Sequence, residues 1–399
     1  MTTSEDHPRL RPLDFKPVLY EGMRYLHLRD PLNLTDRNLL IPEPFIPVLP
    51  LLDGSRNLQA IQFSLIIRHN LRISAERIQG ILQALDEACL LDNGTYLSAR
   101  AKAAEDYSRA SYRLSLMAGE TYPGKADELS AYFSGLVESC GVSMDGIHRP
   151  HYRGLVSPHI DYARGGTIYA RTWSAAASAV RAAELVVILG TDHFSEGFPL
   201  TLTRLPYATP LGTLPLPDRL LDRLERILSP DTAYAGELHH RSEHSIELAS
   251  VWMHYTRQGK TVDMLPVLVG DLENLTENTL GQFVKAIQRE TRMRRTIIIA
   301  AVDLAHVGPA FGGDPVSKED LEKYSADDSR ILQLFDRESA RDLHAELLSC
   351  SQNNICGAHP LYLTSLILGP VRTDPLGYAV CPADDENNSF VTIAGVGLY

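Results

Sequence analysis

The chain lacks any run of about 18 apolar residues, the least that crosses a bilayer as a helix. Its best candidate, LLIPEPFIPVLPLL, is broken by four prolines and a glutamate, so no membrane span is expected. The start, MTTSEDHPRLRPLDF, has no basic-then-apolar export signal. Cysteine is sparse: Cys89, Cys140, Cys350, Cys356 and Cys381 are odd in number, widely spaced and form no C-x-x-C. That pattern argues against a disulfide framework and for reduced thiols in a cytoplasm. Positive charge is also short, with 38 Lys and Arg against 50 Asp and Glu and a formal charge of −12. No basic patch is concentrated anywhere, so nucleic acid is not an expected partner. Neither G-x-G-x-x-G nor G-x-x-x-x-G-K-[ST] occurs, which leaves a nucleotide-phosphate loop unsupported.

What is present suits a folded, multidomain chain. The 399 residues allow two or three domains. A composition of 44% hydrophobic and 22% charged residues sustains a sizeable core. Residues 1–105 read as a small α+β, winged-helix-like domain. Asp53-Gly54 signals a turn. Ser74 is placed to cap a helix whose Ile78, Ile81, Leu82, Leu85 and Cys89 recur at helical spacing. Asp92-Asn93-Gly94 is expected to end that helix and open a hairpin wing. The last helix offers only Arg77 as a basic group before it turns apolar and acidic, which disfavours DNA reading. Peptide binding along a strand edge is the functional alternative to simple packing. The polar stretch RAKAAEDYSRASY is expected to be a helical linker.

From residue 112 the pattern changes. RGLVSPH, AELVVILGTDHF, VDMLPVLVG, RRTIIIAAVDLAH and SFVTIAGVGLY are apolar, β-branched runs separated by helix-like segments such as RTWSAAASAVRAA and NLTENTLGQFVKAIQRE. Continuous apolar strands alternating with helices predict an α/β layer with a mainly parallel sheet and helices on both faces. Ligands of such sheets bind beyond the carboxyl ends of the strands. Three of the runs end in an imidazole there: His159, His193 and His306, the last preceded by Asp303. ELHHRSEHSIEL adds His239, His240, His244 and Glu247, and NNICGAHP adds Cys356 and His359. One histidine at a strand end is ordinarily a capping or surface group; three at one end of a sheet share a crevice. Imidazole and thiolate suit iron, copper or zinc. The bland accounts are kept for the rest: His239-His240 as a loop cap, Glu247 as packing, Trp173 and Trp252 as core, and TRMRRT as a solvated helix end.

The motifs SPHIDYARGG, GTDHF, EHSIEL, DLAHVGPAFG and ICGAHP, preceded by LMAGETYPGKADEL and with YATPLGTLPLP between them, resemble the Memo family in order and spacing across residues 112–399. The front resembles a PqqD-type peptide-recognition domain. The resemblance implies a fold like the LigB class III extradiol dioxygenases. It also implies a metal site at His159, His193 and Cys356, with His244, Asp303 and His306 as catalytic groups. Iron(II) is the expected metal, with copper or zinc as alternatives, because a thiolate in place of the usual glutamate softens the site and exposes it to oxidation. It further implies a bacterial or archaeal system with radical-SAM and AMMECR1-type partners. Two departures stand out: Ile160 and Asp161 follow the Pro-His pair, and Asp192 and Phe194 flank His193. Three functions remain open: a dioxygenase-type oxidoreductase, a non-catalytic metal- and peptide-binding partner of a radical-SAM system, and a metal-assisted hydrolase.

Overall fold

The computed structural model describes residues 7–145, 151–194, 197–336 and 339–399. The chain divides into two compact units, Met1–Ala110 and Ser111–Tyr399.

The small unit begins with three antiparallel strands, β1 (Asp14–Tyr20), β2 (Met23–Arg29) and β3 (Leu39–Pro42). The proline-rich run after β3 coils into a 3-10 helix over Glu43–Leu51, where proline needs no amide partner in the first turn. Three helices follow, Leu58–His69, Ala75–Glu87 and Gly94–Ser108. Ser74 caps the second, accepting a hydrogen bond from the Arg77 amide. Ile78 and Leu85 pack with Leu28, Ile61 and Leu65 in one core. Cys89 lies past the helix end at φ +56, and its carbonyl accepts from the buried Arg11 guanidinium, 2.6 Å away. The expected hairpin wing at Asp92-Asn93-Gly94 is replaced by a helix start. The Asn93 side-chain Oδ1 accepts from the Thr95 and Tyr96 amides, and helix-forming residues follow. That third helix buries Tyr96 and Tyr107, so it is part of the small unit's packing and not a bare linker.

The large unit is built on one twisted sheet. Its strands are β4 (Gly154–Ser157), β5 (Leu185–Thr191), β6 (Leu200–Thr201), β9 (Asp263–Val269), β10 (Thr296–Ala301), β11 (His306–Val307), β12 (Thr373–Pro382) and β13 (Phe390–Leu398), with β7 (Tyr207–Thr209) and β8 (Gly212–Leu214) as a separate hairpin. The order is β11-β13-β4-β10-β5-β9-β6, and β12 pairs with β13. The central four, β4-β10-β5-β9, are parallel; β13 closes antiparallel against β4. Alternate side chains feed two cores. Val187, Leu189, Val267 and Ile298 meet Leu224, Phe283 and Leu361 from helices on one face. Val186, Ile188, Leu268 and Ile299 meet Trp173, Trp252 and Phe133 on the other. Each core therefore removes water from one side of the same strands, which is why these strands read as uninterrupted apolar runs. The result is the α/β architecture with a mainly parallel, doubly covered sheet, preceded by a small antiparallel one. Among the described residues no helix is long and apolar enough to cross a membrane.

Candidate metal centre

The central strands β4, β10 and β5 are neighbours, so their carboxyl ends deliver His159, Asp303 and His193 side by side. The fourth group arrives from outside the sheet. Cys356 sits on the turn before the helix Ala358–Leu368. That turn reaches the sheet because Gly357 has no side chain: a Cβ there would lie 2.4 Å from Cβ of Val302. The Thr191 hydroxyl at the end of β5 donates to the Cys356 carbonyl, 3.1 Å away, and ties the turn down.

One ligand atom each from His159, His193 and Cys356 lie within 4.8 Å of one another. The Cys356 Sγ is 3.3 Å from His159 Nε2. Nδ1 of His159 is 2.9 Å from the Ala301 carbonyl, which can only accept. Nδ1 therefore carries a proton, and Nε2 is the ring nitrogen that faces the sulfur. Nδ1 of His193 faces the Glu243 carboxylate at 3.0 Å, with the same consequence. Two imidazole Nε2 atoms and one sulfur thus converge with their tautomers fixed. This donor set fits a borderline transition metal and not magnesium or calcium.

The charges agree with the geometry. Burial alone would push the Cys356 thiol up, but His159 and His306 outweigh it and bring the pKa down to about 5. Burial likewise opposes an imidazolium at His159, yet Asp303 and the thiolate lift it to about 9. His193 is raised above its ordinary value, against the cost of desolvation in the site, by Glu243 and Cys356. At neutral pH the metal-free site thus favours a thiolate facing a protonated His159, and a divalent cation would replace that proton.

The remaining sequence-derived candidates take different places. His244 stacks on His193, with ring centroids 5.0 Å apart and 12° between planes. Burial and the neighbouring His193 and His159 lower its pKa to about 4, against the pull of Glu243, so it is neutral at pH 7. Asp303 is buried and accepts from the amides of His159 at 2.8 Å and Ile160 at 3.2 Å. Its other oxygen is 3.7 Å from His159 Nε2. His306 hydrogen-bonds the Leu304 carbonyl through Nδ1 at 2.9 Å and packs its ring edge on Phe311.

Other histidines stand apart. His239 pairs with Asp192 at 2.8 Å and stacks on Phe194. His240 bonds Tyr207 and the Thr201 carbonyl. His359 lies 3.7 Å from Asp271. The departures around the motifs therefore have structural uses: Asp192 and Phe194 anchor His239, and Asp161 caps the helix Tyr162–Ala175 by accepting from the Arg164 amide. The TRMRRT segment ends the helix Glu277–Met293, and its Arg294 and Arg295 pair with Asp263 and Glu184. Glu247 is fully buried against Arg113 and Tyr122. The residue the sequence reading missed is Glu243, which faces His193. Its only sequence signal was a carboxylate beside a histidine in a polar loop.

A family model described as Memo-like protein matches residues 113–387. A MEMO1 family protein of Aquifex aeolicus is 27% identical over 312 residues, 78% of each chain. One from Thermus thermophilus is 28% identical over 266 residues, covering 66% of this chain and 75% of its own. One from Methanosarcina acetivorans reaches 30% over 195 residues, covering 48% of this chain and 66% of its own. The matched span carries the whole His-His-Cys cluster and the four parallel strands that build it, and on that match the chain belongs to the Memo-like protein family.

Proposed function

We propose that the large unit binds one transition-metal ion through His159, His193 and Cys356 and works as a metal-dependent oxidoreductase of the dioxygenase type. Iron(II) suits the site best, with copper or zinc as alternatives. The observation that carries this reading is the convergence of two tautomer-fixed Nε2 atoms and one low-pKa thiolate at the carboxyl ends of parallel strands. Iron or copper would supply a Lewis-acidic, redox-capable centre with open coordination positions, and zinc a Lewis acid only. The protein's own groups divide the other tasks. Asp303 holds the His159 peptide in place through two amides. His244, neutral and partly solvent-exposed beside the cluster, is placed to accept a proton from a bound substrate. His306 stabilises the thiolate as a nearby imidazole. The LigB-like relationship, a cytoplasmic setting and the radical-SAM and AMMECR1-type partners belong to the same proposal.

The first test is metal analysis of protein purified without air, with Cys356→Ala alongside. About one iron or copper per chain in the wild type and none in the variant supports the reading, and oxygen consumption by the ferrous protein then separates an oxidoreductase from a carrier. Absence of metal from both proteins sinks it.

A second reading has its own observation. Among the described residues strand β1 is the outer strand of its sheet, and its Phe15, Leu19 and Tyr20 are exposed together with Met23 of β2. An edge of this kind accepts an added strand, so the small unit would recruit a peptide or protein while the large unit held metal without turnover. A ferrous protein that consumes no oxygen yet binds its metal tightly would favour this reading.

A further inference from the structure

Glu243 is buried, with 1% of its side chain exposed, and no Lys or Arg pairs with it among the described contacts. It stands just before the helix Ser245–Thr256. Its Oε1 accepts from the His244 amide at 2.8 Å and the Ser245 amide at 2.9 Å. Its Oε2 accepts from the His193 amide at 3.2 Å. Both oxygens are 3.0 Å from His193 Nδ1.

A carboxylate has about four lone-pair sites. Three backbone amides and the His193 ring N–H fill them, and Nδ1 of His244 also lies 3.3 Å from Oε1. His193, Glu243 and His244 lie close enough to bracket a cation of their own, but Glu243 has no lone pair left for one, and His193 turns Nε2 toward the thiolate. The better account is that the carboxylate serves the ligand. His159 differs: its Nδ1 donates to the neutral carbonyl of Ala301. The two imidazoles are thus unequal, one backed by a dipole and the other by a full charge.

We infer that Glu243 is a positioning residue, which locks His193 with Nε2 facing Cys356 and makes it the stronger imidazole donor to a metal. The inference rests on the metal-site reading above. The same carboxylate holds the peptide of His244, so ligand and neighbouring base move as one piece. A charged partner on the far nitrogen raises the electron density of the near one, and losing such a partner typically costs about 10–100-fold in metal affinity.

The experiment uses the full chain, loaded with cobalt(II) or zinc and titrated against a competing chelator at one pH. Wild type, Glu243→Gln, His193→Ala and the double variant are compared. Glu243→Gln is expected to weaken binding about 10–100-fold while keeping the thiolate-to-cobalt absorption band. In the His193→Ala background the same change is expected to cost less than about threefold, because the route through His193 is gone. Equal losses in both backgrounds overturn the inference, since Glu243 would then act on the fold in general. Unchanged affinity in Glu243→Gln also overturns it, and leaves the metal site standing. Failure of wild type to bind any metal overturns both readings. Nitrogen-15 NMR of the zinc-loaded wild type needs no variant: a His193 ring with its proton on Nδ1 is expected, and a bare Nδ1 overturns the inference.

Discussion

Glu243 and Glu247 stand one turn apart at the start of the same helix, both buried, and they do different things. Glu247 meets a full countercharge: the Arg113 guanidinium, the Tyr122 hydroxyl at 2.5 Å and the amides of Leu116 and Met117. It is a closed knot that pins the segment after residue 111 to the helix Ser245–Thr256. Glu243 meets imidazoles and amides, and burial, which alone would raise its pKa, is outweighed by His193 and the Ser245 amide, which hold it well below the usual carboxylate range. The contrast teaches that burial and residue type do not assign a role. The partner does: a guanidinium that never loses its proton makes a structural pin, whereas an imidazole that can give its other nitrogen to a metal makes a functional one.

The comparison can be broken from either side. The largest effect is expected at the pin. Glu247→Gln leaves the buried Arg113 without its charge partner, a loss of about 3–5 kcal/mol in chemical denaturation. Any chain that still folds should bind metal as before; a folded variant with lost metal affinity would erase the distinction drawn between the two glutamates.

Metal removal comes next. A ligand at 100 times its Kd stabilises by about 2.7 kcal/mol, so zinc or anaerobic iron(II) should raise the wild-type Tm and leave Cys356→Ala unmoved. A similar shift in both proteins would detach the thiolate from the site. This binding should also tighten with pH. His159 is protonated below about pH 9 in the metal-free site, so each displaced proton gives about tenfold in affinity per pH unit. The same raised pKa fixes the sign for the metal-free protein. The protonated ring adds stability in full below its unfolded value near 6.5, and this is lost as pH rises through about 9. Chelator competition and denaturation at several pH values read the two trends, which run in opposite directions.

A third buried carboxylate sharpens the contrast because no Lys, Arg or His hydrogen-bonds it among the described residues. Asp328 accepts from Tyr378 at 2.8 Å and Thr392 at 2.6 Å through one oxygen, and its other oxygen has no hydrogen-bond partner among the described residues. Burial raises its pKa from 3.8 to about 6. Its ionised form is therefore a cost, absent below about pH 4 and fully present above about pH 6. Asp328→Asn should stabilise the protein by about 1–3 kcal/mol at pH 7 and by nothing at pH 4. A gain that ignores pH would mean that ionisation is not the cause.

The smallest effect belongs to the small unit, where a neutral amide does what Glu243 does for its helix. Asn93→Ala removes the acceptor for two amides and should cost about 1 kcal/mol, with no change in metal affinity.

Much of this was legible in the residues and some was not. The parallel strands could be read because burial on both faces leaves a continuous apolar run, and the imidazoles that follow β4, β5 and β10 mark their carboxyl ends. Strand β12 was not read. TDPLGYAVCP carries prolines and a glycine, and a register shift between Pro375 and Gly377 absorbs them where it pairs with β13 at the sheet margin. Asp92-Asn93-Gly94 misled because the same side-chain acceptor serves a hairpin turn and a helix cap; the helix formers beyond it decide. Glu243 was hidden for a different reason. Its partner His193 is remote in the chain, on another strand end, and no local period reports a contact of that range.

The sheet order has a consequence for how the protein comes into being. His159 and Cys356, whose side chains touch, are 197 positions apart, and β4, which carries the first, is flanked on one side by β13. On the ribosome the small unit and the early strands emerge well before the thiolate exists, and domains fold as they appear. For that interval β4 and the imidazole beyond it lack both a neighbouring strand and the sulfur. On the proposed function, capture of a metal would then mark the moment at which the nascent chain has finished its sheet, so a pulse-labelled chain should become resistant to protease and able to bind metal together.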